Sequence, residues 1–145
     1  MLNINQLSKI LTELDEFNSQ TQILEGDGYD AVIDLLSNLR GVEFPAAVLE
    51  SRSSGVINLV EGPVDNYSQS VWIMGQLGRN ESEAELYASM FNLAKKVIGK
   101  FLDHNQDDEL REWDYSRISY MKRYGGQNAR GYEILLNFKE NIPLR

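Results

Sequence analysis

AAVLES (residues 46–51), VINLVE (56–61), SVWIMGQLG (70–78) and ESEAELYASMFNLAKKVIGKFL (81–102) decide the fold of this 145-residue chain. The first three runs are short and apolar, and turn residues bound them: Arg52-Ser53-Ser54-Gly55, Gly62-Pro63 with Asp65-Asn66, and Gly78. Such runs read as strands. The spacing predicts strands over about 46–51, 56–60 and 69–77, the first two as a hairpin and an exposed loop after it. In the third strand Val71, Ile73, Gly75 and Leu77 share one face, and Trp72, Met74 and Gln76 share the other. Apolar groups on both faces predict a strand covered on both sides. The alternative is that Trp72 and Met74 form an interface patch.

The fourth run changes period. Leu86, Met90, Leu93, Ala94, Val97, Ile98 and Phe101 recur at helical spacing and predict one long helix with a continuous apolar stripe. Asn80 or Ser82 is placed to cap it. Glu81, Glu83 and Glu85 suit the positive end of the helix dipole, and Lys95, Lys96 and Lys100 lie toward the negative end.

Toward the N-terminus, Leu7, Ile10, Leu11, Leu14 and Phe17 predict an amphipathic helix over about 3–17. A short extended piece fits Thr21–Leu24. A second helix opens at Asp27-Gly28, carries Tyr29, Val32, Ile33, Leu36 and Leu39 on one face, and stops at Gly41, with Pro45 beyond it. Toward the C-terminus, Ile118–Tyr124 and Tyr132–Phe138 alternate in polarity around the loop GGQNARG and read as a returning hairpin. The sum is the α+β class: a mainly antiparallel sheet of about four to five strands packed against a long helix, with additional N-terminal helices. One domain is expected over residues 1–145, residues 1–20 being a helix that can sit peripherally.

Composition excludes several chemistries. One histidine and no cysteine rule out Cys₄ and Cys₂His₂ zinc sites and a thiol nucleophile. His104 lies in the polar stretch DHNQDD, a poor setting for the shielded base of a serine triad. Neither GxxxxGK[ST] nor GxGxxG occurs. The carboxylates Glu50 and Glu61 flank the first hairpin and could face each other, but nothing in the sequence marks the shielded pocket that acid–base work needs. No catalytic residue and no cofactor is assigned, and the chain reads as a non-enzyme. No apolar run nears the ~18 residues of a membrane span, and the N-terminus lacks the pattern of a secretory signal, so a cytoplasmic location is expected.

The net charge of −8, from 22 acidic and 14 basic residues, disfavours contact with a phosphate backbone. From Arg117 onward the balance reverses, with Arg117, Lys122, Arg123, Arg130, Lys139 and Arg145 against Glu133 and Glu140. Two readings stand. The basic end meets the acidic remainder of another copy, with Arg123 and Arg130 as contact candidates, or Lys and Arg protect a sheet edge.

One cation-binding pattern is present. Asp103, Asn105, Asp107 and Glu109 alternate, with Asp114 at the twelfth place, as in a calcium loop. The sixth place is Asp108 where such a loop needs glycine, and the twelfth is Asp where it needs Glu. The competing reading is a solvated acidic loop that includes His104, and no metal is assigned.

The order helix, helix, hairpin, third strand after an exposed loop, long helix, two strands resembles the tail-terminator and tail-completion (neck) proteins of long-tailed bacteriophages. The segments that carry it are AAVLES…GVINLVEGPVDNYSQSVWIMGQLG, the helix ESEAELYASMFNLAKKVIGKFL and the closing strand GYEILLNFKENIPL, within residues 25–142. The likeness lies in element order and in no short motif. It implies a non-enzymatic structural protein that forms rings, with tail-tube or connector protein as partner and the virion as destination. It makes Glu61–Ser70, with Pro63 and Tyr67, a contact arm, and Trp72 and Met74 interface anchors. The rival is a monomeric cytosolic α+β binding or regulatory module.

Overall fold

The computed structural model describes residues 4–37, 42–50, 54–60, 62–106, 113–125 and 128–142. Six strands form one sheet: β1 (Ile23–Glu25), β2 (Ala46–Leu49), β3 (Ser54–Asn58), β4 (Val64–Gln76), β5 (Trp113–Gly125) and β6 (Ala129–Asn141). Their order is β1-β2-β4-β6-β5, and β3 also lies along β4. Every pairing is antiparallel except that of β1 with β2. With helices α1 (Ile4–Leu11), α2 (Tyr29–Ser37) and α3 (Glu83–Gln106) the class is α+β.

Two expectations about the sheet are corrected. β2 and β3 do not form a hairpin with each other. Both pair with β4, β2 along 71–74 and β3 along 64–68. β4 has thirteen residues, so one strand offers two pairing stretches end to end. The exposed loop expected after Val60 is therefore largely strand. Asp65-Asn66 is a turn signal by composition, yet it sits between β3 and β6, with Asp65 opposite Ile57 and Glu140. The short extended piece near Thr21–Leu24 is β1, and it adds the sheet's parallel edge.

Residues in adjacent strands line up in ranks across the sheet. One rank is Glu25, Leu49, Val71, Ile134, Tyr120. Another is Ile23, Ala47, Ile73, Tyr132, Lys122. Side chains alternate faces along each strand, so each rank lies on one face. Both of these face α3. Leu86, Leu93, Ala94, Val97 and Phe101 of that helix are buried against Val71, Ile73, Ile134, Leu136 and Phe138. Burial is worth about 1.5–3 kcal/mol for each large side chain, which makes this layer the main stabilising contact. Ser82 is the cap: its Oγ accepts the Glu85 N–H at 3.1 Å, and Glu83 and Glu85 occupy the first turn.

The N-terminal helix belongs to the same layer. Leu7, Ile10, Leu11, Leu14 and Phe17 are all buried in the α3-side core, so the segment is not peripheral. Two ties fasten it to α3: Lys96 Nζ lies 3.3 Å from Glu16 Oε1, and His104 Nε2 lies 2.7 Å from Glu13 Oε2. The opposite sheet face is covered by α2. Val32 and Leu36 close over Val48, Trp72, Met74 and Ala129.

Candidate functional site

β3 runs along the start of β4, whose other side is paired with β6, and with residues 59, 60, 62 and 63 it forms an arm at the sheet edge. The sequence there, VINLV (56–60), is aliphatic at four of five positions. Neither sheet-covering helix buries it. Val56, Ile57 and Leu59 are each more than half exposed, and Val60 is 95% exposed. The chain bends back through Gly62, whose φ of +100° favours glycine. Exposed aliphatic side chains on an edge strand are the kind of feature that interaction surfaces carry. Beside the arm, Asn66, Ser68, Asn137 and Lys139 line a groove of about 440 Å³ between β3, β4 and β6. Its floor is fixed by Ser68 Oγ, which donates to Asn137 Oδ1 at 2.8 Å.

Deeper on the same sheet face a polar belt crosses four strands, from Glu50 just after β2, through Ser70 of β4 and Glu133 of β6, to Arg123 of β5. Ser70 Oγ donates to Glu133 Oε2 at 2.7 Å. Arg123 Nη2 and Nε reach Glu133 Oε1 at 2.8 and 2.9 Å. The Arg123 guanidinium also lies over the rings of Tyr29 and Trp72, at 5.3 and 5.4 Å. Glu50 is 6% exposed. Burial pushes its carboxyl above the usual range; Ser70 opposes that rise, and the charge of Glu133 adds to it. The belt lies under α2 with Trp72 and Tyr29, as a bracing network across strands.

The residues singled out from sequence are scattered. Trp72 and Met74 are buried beneath α2 and offer no contact surface. Tyr67 is buried and stacks on Phe138 at 5.3 Å, inside the α3-side core. Arg123 is held by Glu133. Arg130 Nη2 and Nε both lie 3.0 Å from Glu83 Oε1. Pro63 is half-buried at the arm, and its carbonyl accepts the Ile142 N–H at 3.0 Å. The exposed aliphatic side chains thus lie on β3 and just after it rather than over 61–70, most of which is β4. Glu50 faces Ser70 and Glu133, while Glu61 lies outside the described residues.

The calcium pattern does not form one loop. Asp103 and Asn105 are in the last turn of α3, Asp114 is in β5, and Asp107 and Glu109 lie outside the described residues. A wrap around a cation needs consecutive loop residues, and helix and strand claim both ends of this segment. Among the described residues no group of three or more acidic or histidine side chains is gathered to hold a metal ion. Sequence reasoning missed Ser70 and Glu133. Both sit on apolar-looking strands, and only the register of β4 against β6 joins them.

Comparison of the chain with protein-family models and with curated proteins finds no match in either. Among the described residues no helix is long and apolar enough to cross a membrane.

Proposed function

We propose that this chain is a non-enzymatic assembly protein of the phage tail-terminator or head–tail joining type, acting by self-association and contact with a tube or connector protein. The observation that carries this reading is the exposed aliphatic arm, Val56, Ile57, Leu59 and Val60. Covering four such side chains is worth several kcal/mol at about 1.5–3 kcal/mol each, on the scale of a stabilising contact between chains. The element order, with a long helix on one face of an antiparallel sheet, supports the phage-type assignment. On this reading the protein works in the cytoplasm during assembly and in the virion afterwards.

The test is solution mass by light scattering over a wide range of protein concentration. A discrete oligomer, or a climb toward one, is expected. A strict monomer throughout would favour the rival, a monomeric binding module, for which the groove lined by Asn66, Ser68, Asn137 and Lys139 is the specific support.

A further inference from the structure

We infer that copies of this chain join head to tail through opposite edges of the sheet, β1 of one copy running alongside β5 of the next. This rests on the assembly reading above and names its contact. β1 and β5 end the strand order, and among the described residues neither has a strand on its outer side. A contact between two different edges is heterologous, the kind that closes into a ring when its rotation divides a full turn.

Direction and level both fit. β1 is parallel to β2, and three antiparallel steps separate β2 from β5, so β1 runs opposite to β5. Continuing the sheet from one copy to the next therefore gives an antiparallel pair. β1 also lies at the level of Tyr120–Lys122, since Glu25 shares a rank with Tyr120 and Ile23 with Lys122. The irregularity of β5 falls between Asp114 and Ser119, which leaves its regular stretch facing β1.

The charges are complementary. At β1 and the turn after it the charged residues are acidic, Glu25 and Asp27. On β5 the charged residues from Arg117 to Gly125 are basic; Arg123 is held by Glu133, which leaves Arg117 and Lys122 exposed. Glu25 and Lys122 are exposed and share the α3 face, so the contact sets them diagonally across two strands, within reach of a long side chain. Within its own chain Lys122 Nζ lies over the Tyr87 ring at 4.7 Å, a position compatible with a carboxylate on its outer side. Edge protection alone does not account for β5. A protected edge sheds apolar groups, whereas Tyr120, Met121 and Tyr124 are each more than half exposed there.

The experiment is charge reversal read by light scattering at low and moderate salt, with folding of each variant checked by its melting curve. E25K and K122E should each weaken self-association roughly tenfold. The double variant E25K/K122E should recover most of that loss, because it restores opposite charges across the junction. The wild-type contact should weaken as salt rises. An oligomer indifferent to both single reversals, or single losses that the double does not recover, would overturn the β1–β5 junction. If the arm variant L59D still dissociates that oligomer, the assembly reading survives without the junction. A wild-type chain that is monomeric at every concentration would overturn both.

Discussion

Arg123 sets two nitrogens on a single oxygen of Glu133, Nη2 at 2.8 Å and Nε at 2.9 Å from Oε1, and so leaves Oε2 to the Ser70 hydroxyl at 2.7 Å. The carboxylate is thereby held from two strands at once, β5 on one side and β4 on the other. Removing the arginine strands a mostly buried charge. Arg123→Ala should destabilise the fold by about 2–4 kcal/mol, a melting temperature about 10 °C lower. Arg123→Lys should lose less, keeping the charge but not the fork or the stacking over Trp72. R123A/E133Q should regain part of the loss. Urea unfolding of the four proteins checks this, and an R123A midpoint equal to wild type would refute the bracing role.

The neighbouring carboxyl, Glu50, gives a test by pH. Glu50 has its folded pKa raised above the ordinary value of 4.5 by burial. A raised carboxyl favours folding below the unfolded pKa, and that contribution is lost as pH climbs through the folded pKa. Stability should therefore decline as pH rises from about 4.5 across that window. Glu50→Gln keeps a neutral polar side chain and removes the titration. Its stability relative to wild type should increase with pH over this window, reaching a gain of about 1 kcal/mol at neutrality. Melting curves from pH 4 to 8 measure it. A constant offset between the two proteins would contradict the assignment.

Gly131 gives a third test. It pairs with Met74 near one end of the β4–β6 ladder, and a Cβ there would run into the backbone carbonyl of Ile73. Backbone cannot yield as a side-chain tip can. Gly131→Ala should cost about 3 kcal/mol or more, well above the usual surface change. At Gly78, by contrast, the nearest atom to such a Cβ is on Glu81 at 3.7 Å, so Gly78→Ala should be near neutral by comparison. Equal melting temperatures for the two variants would count against the close approach.

Most of the scaffold was readable because its signals are local. The stripe Leu86 to Phe101 fixes α3, and the alternation around Trp72 correctly anticipates a strand covered on both faces. What failed was non-local. VINLV reads as the second strand of a hairpin with 46–51, yet β3 pairs with β4, and only the reach of α2 and α3 decides that it stays in water. Asp65-Asn66 reads as a turn, yet pairing on both sides overrides that preference. The partnership of Ser70, Glu133 and Arg123 joins residues 10 and 63 positions apart, which no spacing rule detects.

The contrast between Val60 and Trp72 separates assembly from folding. Val60 is 95% exposed and Trp72 is 1% exposed. A polar group at the arm tip changes no internal packing, so Leu59→Asp and Val60→Asp should leave the monomer's stability within about 0.5 kcal/mol of wild type. Both should weaken self-association, since a carboxylate would have to be desolvated in the contact. Because that contact is apolar, the effect should persist at high salt, unlike that of charge reversal at Glu25 or Lys122. Trp72→Ala should do the reverse: a loss of about 3–5 kcal/mol from the cavity beneath α2, with assembly impaired only as far as folding is. Light scattering and urea unfolding on the same samples read both quantities. Unchanged self-association in L59D and V60D would remove the arm from the interface.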